Sequence, residues 1–243
     1  MISIVIPTYN RAGHLKNLYF KLDEAMIHMG ESYELILVDD ASKDDTAEVI
    51  REICKMSRQV KGVILTYNVG QQNATLAGIR HASHEVVVTL DDDLKYDPAT
   101  INQLLDVYNQ GYDVVYGIVK EVKRKKIRRL GTAVKEMLLF LLCKKPKEVQ
   151  LTSYKVMGGS ILDHIRSDAH EKVYLSARLL QKTNNIINVE VASNKEHLAT
   201  TYSLRQLIRL TFTIVKYYGP KLTHQNHQKD MNKRTQYVIK ELV

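Results

Sequence analysis

A chain of 243 residues with 44% apolar and 26% charged side chains is long enough to bury a sizeable core and too apolar for intrinsic disorder. Its two cysteines, Cys54 and Cys143, sit in apolar or helical runs and read as free buried thiols, which suits a reducing, cytoplasmic setting over a disulfide scaffold. A formal charge of +8 points to an anionic partner, while zero tryptophans and three phenylalanines argue against the aromatic platform of a nucleic-acid binder.

In chain order, ISIVI (2–6) reads as a first strand with no basic segment ahead of it, unlike a signal peptide. Leu15, Leu18, Leu22, Met26 and Met29 recur at helical steps. YELILV (33–38) is a second strand, and Ala47, Ile50 and Ile53 mark a helix that Asp44 or Asp45 is placed to cap. VKGVIL (60–65), a helix over 71–82 and EVVVTL (85–90) follow. Asp97 and Pro98 then predict the N-cap and first residue of a helix that stops at Gly111, before a fifth strand, DVVYGIV (113–119).

Uniformly apolar strands alternating with helices imply a mostly parallel central sheet flanked by helices, an α/β fold. Beyond residue 120 comes the basic run KEVKRKKIRR (120–129), then an amphipathic helix at 131–143. LTSYKVM (151–157) carries no clear assignment; a helix near 169–182, a late strand in NIINVEVA and an amphipathic helix at 203–218 follow. No run reaches the roughly 18 apolar residues of a membrane span. With no linker or repeat, residues 1–220 form one domain, divided into 1–119 and 120–220, and 221–243 form a basic, polar extension.

Open α/β sheets bind ligands at the carboxyl ends of their strands, where two acidic clusters fall. Asp91, Asp92 and Asp93 follow the fourth strand, and three adjacent carboxylates invite a hard cation such as Mg²⁺ or Mn²⁺. In an extended segment Asp91 and Asp93 share a direction, which makes them the metal pair; a solvated turn capping the next helix is the alternative. Asp39 and Asp40 follow the second strand, placed either to accept from a nucleobase or ribose or merely to cap a helix. Neither a dinucleotide glycine motif nor a P-loop is present.

Four segments together resemble the family-2 glycosyltransferases: IVIPTYNR (4–11), LILVDDASKDDTAEVI (35–50), GQQNATLAGIRHA (70–82) and VVVTLDDDLKYDPATI (86–101). Residues 113–142, 151–165 and 194–210 resemble the branch of dolichol-phosphate mannose synthases and bacterial polyprenyl-phosphate glycosyltransferases. Lys95 stands where that family has Gln or Ser. The resemblance implies a GT-A-like fold and an inverting, metal-dependent transfer from a UDP- or GDP-sugar. Pro7, Thr8 and Tyr9 would line the nucleotide pocket, Asp39 or Asp40 would contact the base, and Asp91 would contact ribose or phosphate. Asp93 would hold Mg²⁺ or Mn²⁺. Lys95, Arg128 and Arg129 would assist at phosphoryl oxygens, since cationic side chains clamp phosphates well.

The implied acceptor is a polyprenyl phosphate, met at the inner face of a membrane by an otherwise cytoplasmic protein whose basic 120–129 run is drawn to anionic lipid. An acceptor hydroxyl on a saccharide, glycolipid or protein is the alternative, and would need Asp92 or Asp93 as base. A non-catalytic nucleotide-sugar-binding scaffold is the third reading.

Overall fold

The computed structural model describes residues 1–119, 137, 140, 143, 145–168, 174–193 and 237–243. Five strands alternate with helices in the first half: β1 (Ile2–Thr8), α1 (Ala12–Met29), β2 (Tyr33–Asp39), α2 (Thr46–Met56), β3 (Val60–Leu65), α3 (Gln71–His81), β4 (Val86–Thr89), α4 (Ile101–Tyr108) and β5 (Val114–Ile118). The second half adds β6 (Lys155–Gly158), α5 (Ser160–Arg166), α6 (Leu175–Lys182), β7 (Ile186–Glu190) and β8 (Ile239–Leu242).

All the described strands join one 8-stranded sheet in the order β7-β5-β6-β4-β1-β2-β3-β8. The pairs β1–β2, β1–β4, β2–β3 and β5–β7 are parallel, whereas β6 runs against both β4 and β5, and β8 runs against β3. The α/β expectation holds, with a sheet that is mixed rather than wholly parallel. Strands β1 and β2 are buried along their whole lengths, as covering both faces requires. One face packs α1, α2 and α4 and the other packs α3, α5 and α6. Helix α3 lies close over β1 and β2 because Gly78 faces them; a Cβ there would overlap the Val5 and Val38 side chains. The start of α4 is built as its sequence predicts, with the Asp97 carboxylate accepting from the Ala99 amide ahead of a short 3₁₀ turn at Pro98–Thr100.

Two elements depart from the sequence reading. LTSYKVM contains β6, and residues 239–242, assigned above to an extension outside the domain, form the sheet-edge strand β8. Most of 131–143 and all of 203–218 lie outside the described residues.

Candidate active site

The loops that follow β1, β2 and β4 meet at one end of the sheet, because β1 lies between the other two strands. Backbone strain is concentrated there. Among the described residues the non-glycine positions with positive φ are Asn10 (55°), Ala41 (57°) and Leu94 (52°), one in each loop. Such conformations persist only where surrounding contacts over-determine them, and they cluster at functional sites.

The first two loops are sewn to each other. The Asn10 amide donates to Ser42 Oγ at 2.8 Å, and Asn10 Oδ1 accepts from the Lys43 amide at 2.8 Å. The Arg11 amide donates to Thr46 Oγ1, and Asp44 accepts from the amides of Ala12 and Thr46. Asp44 thus serves the first turn of α1 as well as its own loop, a capping arrangement that local sequence alone does not show.

Asp39 and Asp40 separate into two roles. Both oxygens of Asp40 are spent on the chain, accepting from the Val69 amide at 2.7 Å and the Gly70 amide at 2.9 Å. They hold the turn into α3, where Gly70 takes φ +85°. Asp39 is held by Ser42 alone among the described residues, through its amide at 3.1 Å and its hydroxyl, so no other element claims its carboxylate. Burial raises the pKa of both carboxyls, and their hydrogen bonds oppose it.

The three aspartates after β4 also part company. The strand ends at Thr89 and Asp92–Asp93 lie in a turn, so the alternation of an extended segment does not apply to them. Asp91 accepts from Gln71 Nε2 at 2.5 Å and from the Ser153 hydroxyl. Asp92 accepts from Thr8 Oγ1 at 2.7 Å and lies 3.6 Å from Arg11 Nε, tying this loop to β1. Asp93 accepts from the Lys95 amide at 3.0 Å through one oxygen only. Burial, together with the charges of Asp93 and Asp92, pushes Asp91 up to about 6, against the Ser153 hydroxyl and Lys155. Asp92 is raised too, chiefly by burial.

Of the other residues singled out by sequence, Pro7 and Thr8 end β1 and the Tyr9 side chain is 40% exposed beside them. The Lys95 ammonium lies over the Tyr96 ring, 5.0 Å from its centre. Arg128 and Arg129 lie outside the described residues.

This strand order, with acidic loops after β2 and β4, coincides with a family match: residues 3–156 match glycosyl transferase family 2. The chain belongs to that family. It is 32% identical over 226 residues to the undecaprenyl-phosphate 4-deoxy-4-formamido-L-arabinose transferase of Edwardsiella ictaluri, covering 88% of this chain and 66% of the relative. The protein of that name from Pseudomonas aeruginosa is 29% identical, covering 88% and 64%. The chain therefore spans slightly less than two thirds of the length of these curated relatives. Solved structures share the fold at low identity. Mycobacterium tuberculosis glucosyl-3-phosphoglycerate synthase, solved with Mn²⁺, UDP-glucose and phosphoglyceric acid, superposes with TM-score 0.62 at 18% identity, covering 88% of this chain and 77% of that one. Mannosyl-3-phosphoglycerate synthase from Rubrobacter xylanophilus superposes with TM-score 0.64 at 15% identity, covering 96% and 76%.

Within this family-2 chain, the donor set suits a divalent cation that completes its coordination on substrate. No group of three or more His, Cys, Asp or Glu side chains is gathered for a metal among the described residues. Mg²⁺-type ions bound with nucleotides need only one or two carboxylates plus phosphate oxygens and water. Among the described residues one oxygen of Asp93 has no hydrogen bond, and Asp91 and Asp93 repel each other, a strain that a cation would relieve. Sequence reasoning missed Gln71, Ser153 and Lys155. They lie 20 or more positions from Asp91, and only the pairing of β6 with β4 and the start of α3 bring them to it.

Among the described residues no helix is long and apolar enough to cross a membrane.

Proposed function

We propose that this chain is an inverting transferase that moves a sugar from a nucleoside-diphosphate donor to a polyprenyl phosphate at a membrane face. The observation that carries the donor half is the convergence of strained, cross-linked loops and two acidic clusters at the carboxyl ends of β1, β2 and β4. The acceptor half is supported by the undecaprenyl-phosphate transferases to which the chain is similar.

In this reading the Asp39 carboxylate accepts from the nucleobase or ribose, while Pro7, Thr8 and Tyr9 form the wall beside it. Asp40 holds the Val69–Gly70 turn that leads into α3. Asp91 and Asp93 would hold Mg²⁺ or Mn²⁺, whose charge would offset that of the diphosphate leaving group. Lys95, Arg128 and Arg129 add cationic charge for phosphoryl oxygens. A phosphate acceptor is already anionic and needs no strong general base. That suits Asp92, whose two oxygens are engaged by Thr8 and Arg11 rather than free to take a proton.

The test is a panel of UDP- and GDP-sugars incubated with and without a short polyprenyl phosphate, with Mg²⁺ or Mn²⁺ and again with EDTA. Metal-dependent transfer to the lipid phosphate is the expected result. Preferential transfer to a saccharide, glycolipid or protein hydroxyl replaces the acceptor, and tight nucleotide-sugar binding without turnover makes the chain a scaffold.

A further inference from the structure

Lys155 is a charged side chain in a place where charge is costly. It opens β6, pairs in register with Thr89 at the end of β4, and is 3% exposed. Its ammonium has three donors, but among the described residues the contacts around it are sparse: the Ser153 carbonyl at 3.4 Å and the face of the Tyr116 ring, 5.8 Å from its centre. A buried ammonium so poorly satisfied is destabilising relative to an apolar side chain of the same length, so packing gives no account of it.

Its surroundings give one. Ser153 joins Lys155 to Asp91: the serine carbonyl receives the ammonium and, at 2.5 Å, the Thr89 hydroxyl, while the serine hydroxyl donates to Asp91. The segment is itself pinned, because the neighbouring Tyr154 hydroxyl bonds Thr100 at 3.0 Å and its ring packs 4.7 Å from that of Tyr96. Thr152 anchors it again through the Gly117 carbonyl at 3.0 Å. Asp91 is thus gripped from two sides, by Gln71 on α3 and by Ser153 ahead of β6. Lys155 adds a positive charge on the interior side of this arrangement, and it and Asp91 attract.

We propose that Lys155 and Ser153 are positioning residues that hold the Asp91 carboxylate in the orientation that receives the cation-bound diphosphate of the donor. The inference rests on the donor site proposed above and adds to it a support on a strand that sequence leaves unassigned. Neither residue touches substrate. Lys155 acts by charge and Ser153 by direction, as the outer partners of metal-binding carboxylates do.

The experiment is calorimetry of the full chain with UDP and GDP, each with Mn²⁺ and with EDTA, alongside thermal melts. Lys155→Met removes a costly buried charge but also the charge facing Asp91, two opposing effects, so it is expected to melt close to the wild-type temperature, yet to bind the Mn²⁺–nucleotide about 10- to 100-fold more weakly. Binding in EDTA should be unchanged, because the nucleoside contacts lie elsewhere. Ser153→Ala, which removes a single hydroxyl and keeps the chain folded if Lys155→Met does not, should show a smaller loss confined to the metal-dependent arm. If either folded variant binds the Mn²⁺–nucleotide as the wild type does, the positioning role is wrong and Lys155 is only a tolerated core lysine. If the wild type itself shows no metal-dependent nucleotide binding, the donor-site reading fails first and takes this inference with it.

Discussion

The two ends of the sheet use carboxylates in opposite ways. At the amino end, Glu34 is 6% exposed and surrounded by donors: Ser3 Oγ and the Ser83 amide at 2.5 Å, and Lys61 Nζ at 2.6 Å. Burial pushes its pKa up, but Lys61, Ser3 and Ser83 outweigh that and hold it below the ordinary carboxylate value. At the carboxyl end, Asp39, Asp40, Asp91 and Asp92 are all raised, because their donors do not match the desolvation and mutual repulsion they face. A carboxylate satisfied by its own chain reads as structure. A group of carboxylates that the chain leaves under-compensated reads as a site awaiting positive charge.

The largest expected effect falls at the carboxyl end. Asp93→Ala should reduce transferase turnover at least about 100-fold, the equivalent of a few kcal/mol of transition-state charge stabilisation. Its melting temperature should stay level or rise, since one of three mutually repelling carboxylates is gone. Steady-state rates with Mn²⁺ and Mg²⁺, set beside thermal melts, check this; full activity in the variant removes Asp93 from the metal role. Glu34→Ala is the mirror experiment. It orphans the Ser3 hydroxyl and the Ser83 amide and should cost about 1–3 kcal/mol in urea unfolding, while turnover per folded molecule is unchanged. A Glu34→Ala protein that is fully stable but slow would erase the distinction between the two ends.

The next test divides the carboxyl end itself. Asp39→Ala should weaken binding of free UDP or GDP by about tenfold or more, the loss of a hydrogen bond to a charged group, with modest effect on stability. Asp40→Ala strands the Val69 and Gly70 amides and should chiefly destabilise the fold. Calorimetry and denaturant unfolding of both variants would reverse these assignments if Asp40 proved the stronger nucleotide contact.

The same contrast explains what the sequence reveals. Strands β1 to β5 are apolar runs bounded by loops, so local pattern finds them, and Asp97–Pro98 announces α4 by chemistry alone. Strand β6 does not stand out because Lys155 interrupts it, and that lysine is buried because β6 lies between β4 and β5, with Thr89 and Tyr116 in register on either side. Strand β8, IKEL, is a half-exposed edge strand that ends a basic, polar stretch, and its partner β3 is more than 170 positions away. Proximity in the chain marks Asp39 and Asp40 as equals. Only the approach of the Val69–Gly70 turn tells the structural carboxylate from the available one. The alternation of an extended segment does not reach Asp92 and Asp93, since β4 stops at Thr89 and those two sit in a turn beside Leu94 at φ 52°.

The smallest effect is a pH dependence, and its sign follows from the direction of the shift. A carboxyl whose folded pKa lies above its unfolded value binds protons more readily in the native state, so acidification favours folding through that group. For Asp91 the unfolded value is near 3.8 and the folded one about 6, so its contribution is most favourable below 3.8 and is lost as pH rises through about 6. Glu34 works in the opposite sense: its contribution is present above the ordinary value of 4.5 and is lost as pH falls through a lower folded pKa. Melts in EDTA between pH 7.5 and 5 therefore sample Asp91 with little interference from Glu34. Acidification alters more than this one group, so the quantity to follow is the difference between Asp91→Asn and wild type. At pH 7.5 the variant should be more stable by no more than about 1 kcal/mol after allowance for solvent screening, or about 2–4 °C for a chain of this size. That advantage should shrink toward pH 5 as the wild-type carboxyl takes up its proton. A difference that stays constant across the range would mean that Asp91 is as well compensated as Glu34, and that the two ends of the sheet do not differ in this respect.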